Sequence, residues 1–433
     1  MFKKKSKEIY IVHYHLHKGG VSSVIKAQID ALLKLSYKVG LIVGAPLESN
    51  NIDSKVKTIV LPQIAYTNND NTSTAANIEK IVNLFQKIGK NKIFHIHNHN
   101  LGKNPALTYA VYLLALKGFS FVLHIHDFSE DRPDNYKTLY LEKQDIIKTP
   151  LHEVLYPIKK NVVYTVLTHE DKGRLIKFGI PMNKVFIIPN PIKLSSEQVI
   201  NPQKNKIENR EKVNKTFAIK KNKNLIIYPI RAIPRKNIGE ILLLSILFGK
   251  DYHFFITQPP TNKKYLDLYN HWKKLSTQHN LNIHFEAGQR IDFEILLNAA
   301  DFAISTSIKE GFGLSFLEPW LLETPVVGRR LNNSCNDFEV QGLTFSSLYN
   351  QIKVNKFPDF GFLSIEDQSK IISNCILDNN LCGQILNQNS NLKNLFTPPT
   401  QSLIQRNKEI IKSIYSTSKF GENLNDIYKR VLG

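Results

Sequence analysis

The feature that most constrains this chain is an alternation that runs, stops and starts again. Short apolar runs ("EIYIVHYHL", "KVGLIVGA", "KIFHIHNH", "SFVLHIHD") alternate with segments of helical period ("GGVSSVIKAQIDALLKLS", "NIEKIVNLFQKI", "PALTYAVYLLALK"). Strands covered on both faces read as unbroken apolar runs, and a helix between consecutive strands is the connection that parallel pairing requires. After "NVVYTVLT" and "KVFIIPN" the chain turns polar from 195 to 223, and the series resumes with "NLIIYPI", "NIGEILLLSILF" and "YHFFITQ". This predicts an α/β protein of two Rossmann-like domains, each a parallel sheet with helices on both faces. The boundaries read as 1–195, a polar linker at 196–223, 224–400, and a helical tail at 401–433 that packs back across the domains. A length of 433 residues agrees, being too long for one ordinary core.

Composition narrows the class. An apolar fraction of 42% with 22% charged residues is globular. The basic start "MFKKKSKEIYIVHYHLH" has its apolar stretch broken by His13, His15 and His17, so no export signal is expected. Lys117-Gly118 divides the most membrane-like segment, "ALTYAVYLLALKGFSFVL", into a helix and a strand. Cys335, Cys375 and Cys382 lack metal-ligand spacing and cannot all pair, which fits a reducing, cytoplasmic compartment. The net charge of +20 is spread along the chain, not gathered on one helix. That pattern argues against nucleic acid and leaves either peripheral adsorption to the anionic inner face of a membrane or a compositional taste for lysine.

In open α/β sheets ligands sit beyond the carboxyl ends of the strands. There the sequence holds "HKGG", "HIHD", "RAIPRKN", "EAGQR" and "SIKEGFG". In "EGFGLSFLE", Gly311 and Gly313 let backbone N–H groups approach a ligand at the start of a helix expected near Leu314, a setting that favours an anion such as a diphosphate. Glu310 and Glu318 then suit neutral hydroxyls, one on a ribose and one on a sugar ring; the bland reading is a helix-dipole acid and an exposed helix glutamate. Arg231 and Lys236 follow a strand and precede a helix, so they either grip a diphosphate or are ordinary surface basics, with Arg235 solvated or a backup. His13/His15/His17 and His95/His97/His99 have the period of one strand face. They read as polar strand ends near a cleft in preference to a metal site, because no carboxylate or cysteine partners accompany them.

Taken together, "HKGGVSSVIKAQIDALL", "VLHIHD", "VFIIPNPI", "YPIRAIPRKN" and "EGFGLSFLEPWLLETPVV" resemble the retaining family 4 glycosyltransferases over most of the chain. The resemblance implies the GT-B fold, two Rossmann-like domains facing across a cleft, and transfer of a hexose from a nucleoside-diphosphate sugar to an unidentified hydroxyl acceptor. Arg231 and Lys236 would hold the donor diphosphate, with backbone amides of Gly311, Phe312, Gly313 and Leu314 nearby. Glu310 would meet the transferred sugar, Glu318 the ribose, and Gln289 and Arg290 the base. Gly19 and Gly20 would let a first-domain loop close over the substrates. His126 would contact the donor sugar; next to Asp127 it reads equally as a hydrogen-bonded strand end. The acidic loop "HDFSEDRPDNY" offers Asp131, Arg132 and Asn135 to an acceptor, or is a surface loop with local ion pairs. No D-x-D occurs, so no cofactor or metal is expected beyond the nucleotide sugar as co-substrate. The alternatives are a basic membrane- or polyanion-binding protein on a catalytically idle GT-B fold, and a GT-B glycoside phosphorylase, whose pyridoxal lysine motif is not evident.

Overall fold

Seven parallel strands form the first sheet of the computed structural model, which describes residues 8–17, 19–48, 52–66, 74–143, 146–192 and 202–432. They are β1 (Glu8–His13), β2 (Lys38–Val43), β3 (Lys57–Val60), β4 (Ile93–His97), β5 (Ser120–Ile125), β6 (Val162–Val166) and β7 (Val185–Ile187). Their order is β3-β2-β1-β4-β5-β6-β7, with Ile9 opposite Val39 on one side and Ile93 on the other. The second sheet is also parallel: β8 (Asn224–Arg231), β9 (Tyr252–Gln258), β10 (Ile283–His284), β11 (Phe302–Ser305), β12 (Val326–Arg329) and β13 (Leu348–Tyr349), in the order β10-β9-β8-β11-β12-β13. In each sheet the winding reverses at one point, between β1 and β4 and between β8 and β11. That is where an open sheet leaves a crevice at its carboxyl end.

The chain divides into two units, Met1–Lys193 with Ile414–Gly433, and Leu194–Ser413. One face of the first sheet buries Phe85, Phe94, Phe119 and Phe121; the other buries Ile9, Ile11, Ile25 and Ile29 together with Phe420, Leu424 and Ile427 of the last helix, Thr417–Leu432. Gly421 allows that helix its close approach, since a Cβ there would lie 2.9 Å from the Ala31 side chain. In the second unit Ile226, Tyr228, Leu242, Phe254 and Trp272 share one core. Each such fully buried side chain contributes roughly 1.5–3 kcal/mol. A buried ion group locks β12 to the helix Ile238–Phe248: Arg329 donates to Glu240 Oε1 at 3.0 Å and to Asp359 at 2.7 and 2.8 Å.

Three sequence expectations change. Over the expected linker, residues 202–217 form a helix of the second unit. Asn209, Val213 and Phe217 recur every fourth residue on its buried side, and Arg210 pairs with Asp301 at 2.7 Å. A stripe that narrow is invisible in an otherwise charged segment. Residues 196–201 lie outside the described residues. The tail is two helices, Gln401–Ile414 with the second unit and Thr417–Leu432 with the first. The acidic loop is short: a turn at Ser129–Asp131 leads into a helix from Pro133 to Lys143, because proline at the first helical position presents no N–H to leave unpaired. Among the described residues no helix is long and apolar enough to cross a membrane.

Candidate functional site

β8 ends at Arg231, and the chain then makes a tight turn, Pro234–Lys236, closed by Asn237 in the left-handed region at φ 50°. This turn is tied to the segment after β11. Ile308 N–H donates to Arg235 O at 2.9 Å, Thr306 Oγ1 to Lys236 O at 3.1 Å, and Tyr228 Oη to Lys236 O at 2.9 Å. The consequence is a cluster around Glu310. Lys236 Nζ donates to Oε1, Ser307 Oγ donates to the same oxygen at 2.6 Å, and Arg235 Nη1 donates to Oε2 at 2.5 Å. Both Glu310 and Lys236 are buried.

The electrostatics follow from that seating. Burial pushes the Glu310 carboxyl up, but Lys236 and Arg235 outweigh it and hold the group below the usual carboxylate range. Burial lowers the Lys236 ammonium, and Glu310 opposes this. A paired, hydrogen-bonded charge is the form in which ionised groups are tolerated away from water.

The glycine turn next to Glu310 is built differently from the expected helix. A three-residue 3₁₀ turn, Leu314–Phe316, is followed by a four-residue helix, Glu318–Leu321, with Pro319 in its first turn. Proline lacks the N–H that would continue one helix into the next, so no long helix dipole points at the turn. Among the described residues no hydrogen bond occupies the N–H groups of Gly311, Gly313, Leu314 or Ser315, and the buried hydroxyls of Ser315 and Ser334 lack partners. Gly313 sits at φ +98°, where a side chain is strained, and a Cβ would come within 3.4 Å of Ser334 Oγ. Phe312 is buried edge-on against Phe338. Glu318 is half-buried, and burial with Glu294 nearby pushes its carboxyl up to about 7.

Not every expected residue joins this cluster. Arg231 reaches Thr261 Oγ1 at 3.2 Å and has no bond to Glu310. Gln289 is exposed on the short helix Ala287–Arg290, whereas Arg290 turns to the helix 202–217, donating to Thr216 O at 2.5 Å with its guanidinium 4.3 Å from the Phe217 ring centre. Two residues that the motif reading left aside belong to the cluster, Ser307 and Tyr228, and so does Arg235, which that reading took as solvated or a backup. Ser307 lies three residues before Glu310, which is the only sequence signal it carried.

In the first unit Gly19 and Gly20 open the helix Gly20–Lys34; an added Cβ at Gly20 would meet nothing within 4 Å. The loop residues are engaged locally: Asp131 with Arg174 at 2.8 Å, Arg132 with Asp127 at 3.0 Å, and Asn135 Nδ2 with Leu101 O at 2.8 Å. His126 follows β5. Its N–H donates to Asn98 Oδ1 at 2.7 Å and its ring is buried beside His97 and His124. Burial lowers its pKa to about 4, against Asp127, so the imidazole is neutral at pH 7. His95, His97 and His99, read as polar strand ends near a cleft, lie fully buried, with His97 the last residue of β4.

Residues 209–343 match the profile of the family described as glycosyl transferases group 1. A mannosylglucosyl-3-phosphoglycerate synthase of Petrotoga mobilis is 31% identical over 345 residues; the match takes in 75% of this chain and 65% of that protein's length. Among solved structures, a glycosyltransferase of Rickettsia africae superposes with TM-score 0.64 at 17% identity, covering 99% of both chains. Anabaena HepE in complex with UDP-glucose gives 0.59 at 13% identity, covering 98% of this chain and 99% of its own. These likenesses bear on the fold, two parallel-sheet α/β units of the GT-B type. With the motifs quoted above, the profile match marks residues 209–343 as a segment of the glycosyl transferases group 1 type.

Proposed function

We propose that the protein is a retaining glycosyltransferase that moves a hexose from a nucleoside-diphosphate sugar to a hydroxyl acceptor without a divalent ion. The observation that carries this reading is the seating of Glu310 between Lys236 and Arg235, beside a turn with unoccupied amides. An ionised carboxylate next to cations and N–H donors is suited to a ligand that is part polyol and part diphosphate.

In this reading the diphosphate lies against Arg231, Lys236 and the amides of residues 311–315. Glu310 accepts from sugar hydroxyls, Glu318 from the ribose, and Gln289 meets the base; Arg290 supports the base site from behind. Gly19 and Gly20 admit the substrates closely, and Asp131, Arg132 and Asn135 shape the acceptor loop. His126, neutral, meets the donor sugar. The bond from the anomeric carbon to the diphosphate oxygen breaks as one to the acceptor oxygen forms on the same face. The departing oxygen takes the acceptor's proton, and its negative charge is stabilised by Arg231, Lys236 and the amides, placed before the reaction begins.

The UDP-glucose bound to HepE and the name of the Petrotoga mobilis protein support a sugar-nucleotide donor and make a phosphoglycerate-bearing glucoside the first acceptor to try. The charge of +20 supports peripheral binding to an anionic membrane face, which flotation with and without anionic lipid would test. For the activity, the chain is incubated with UDP-, GDP- and ADP-hexoses and hydroxyl acceptors, and released nucleotide and product anomer are measured with excess chelator. Transfer with retained configuration is expected. Absence of transfer from every donor, or loss with chelator that Mg²⁺ restores, would overturn the corresponding part.

A further inference from the structure

Beneath His126 the first unit buries a set of histidines that the proposed reaction does not use. His95 and His97 of β4 and His124 of β5 are wholly buried, and one ring nitrogen of each lies within 4.8 Å of the other two. That spacing invites a metal, but the bonding does not. Five of the six ring nitrogens of these residues are already hydrogen-bonded: both on His95, both on His97, and Nδ1 of His124. Only His124 Nε2 lacks a partner. The rings of His97 and His124 are stacked, 29° from parallel, so their in-plane lone pairs do not converge as ligands must.

What the bonds form is a chain with a direction. Gln28 Nε2 donates to Tyr428 Oη at 2.9 Å, leaving Gln28 Oε1 facing His97 Nε2 at 2.8 Å. A carboxamide oxygen only accepts, so His97 carries its proton on Nε2. In a dry core His97 is neutral and has one N–H, so its Nδ1 accepts. The atom 2.8 Å from that Nδ1 is His126 Nε2, which must donate. His126 then has a bare Nδ1, which bonds to no described residue. Asn98 fixes the backbone of His126 and Asp127, at 2.7 and 3.2 Å.

We propose that Gln28, His97 and Tyr428 are positioning residues that lock His126 as the Nε2–H tautomer, so that Nδ1 is presented as a hydrogen-bond acceptor for a substrate hydroxyl. This rests on His126 meeting substrate in the function proposed above. A neutral histidine has two tautomers that offer opposite hydrogen-bond roles at the same atom, and a buried partner decides between them. Here the decision starts at a tyrosine near the end of the chain.

The test uses the full chain with ¹⁵N-labelled histidine, reading imidazole tautomers by NMR at pH 7.5; the His126 signals are assigned by their loss in His126→Asn. His126 is expected to be Nε2–H only, and Gln28→Leu to give a mixture. In kinetics, Gln28→Leu and Tyr428→Phe are each expected to lower kcat about tenfold with donor KM within about twofold. Tyr428→Phe, which keeps the ring in the core, guards against a variant that fails to fold. An Nδ1–H tautomer in the parent protein, or an unchanged tautomer and kcat in both variants, overturns the relay. Unchanged transfer in His126→Asn overturns the role of His126 itself, whatever tautomer is found.

Discussion

Arg235 Nη1 stands 2.5 Å from Glu310 Oε2, and the same guanidinium nitrogen donates to Lys309 O at 2.6 Å. One side chain thus holds both the carboxylate and the loop that carries it. Arg231, the last residue of strand β8 and three residues beyond Tyr228, where the register with β9 shifts, is spared this duty and reaches a threonine hydroxyl. The two arginines therefore have separable roles.

Arg231→Ala is expected to lower sugar transfer by at least ~10-fold while leaving the melting temperature within a few degrees, because a half-exposed cation contributes little to folding. Arg235→Ala is expected to lower both activity and melting temperature. Steady-state kinetics beside thermal unfolding separate the two; equal melting losses would contradict the division.

Glu310→Ala and Lys236→Ala are each expected to reduce transfer by at least ~100-fold. Removing one partner of a buried pair leaves the other uncompensated, at a cost on the order of 3 kcal/mol. The loss is expected to be smaller in Lys236→Ala, where Arg235 and Ser307 still satisfy Glu310. Urea unfolding and assays on the folded fraction check this, and near-parental activity in either variant would refute the site.

Glu318 makes a prediction of opposite signs. With its folded pKa near 7, above the unfolded value, the native state holds a proton that the unfolded state releases, so stability falls as pH rises from about 4.5 to 7. Glu318→Gln is expected to stabilise the unliganded protein at pH 8 by on the order of 2 kcal/mol. The same change is expected to weaken nucleotide binding, since ribose hydroxyls need an acceptor on both oxygens. Calorimetric titration with the diphosphate that best raises the melting point, among UDP, GDP and ADP, reads the second effect.

The buried histidines make the first unit acid-labile. Burial holds His13 and His95 near 3, His99 and His126 near 4, and His97 and His124 well below 6.5. Their unfolded forms take up protons near 6.5, so stability is full above that pH and is lost as pH falls toward the folded values. Each contributes a slope of about 1.4 kcal/mol per pH unit inside that window. The urea midpoint followed by near-ultraviolet circular dichroism is expected to drop steeply between pH 7 and 5.5; a flat midpoint would contradict this.

Much of this could be read from the chain alone. The alternation of apolar runs and helical periods predicts two parallel α/β units because strand and helix leave different periods in sequence. Glu310, Glu318 and the glycines between them, and separately Lys236, stood out as candidates because their chemistry is local, set by spacing within each of two loops. The helix at 202–217 was not, since its buried stripe is narrower than composition can reveal. Nor was the break between Leu314–Phe316 and Glu318–Leu321, although Pro319 was its visible cause.

The sequence by itself determined the strands, the two-unit plan and the glycine-rich and basic turns that follow strands of the second sheet, because periodicity and turn chemistry act over a few residues. Only the tertiary structure decided that Arg235 shares Glu310 with Lys236, that His97 lies opposite His124, and that Gln28 meets Tyr428 four hundred residues away. Those contacts depend on strand register and on which helix covers which face, and both are settled by packing between segments that no local spacing connects.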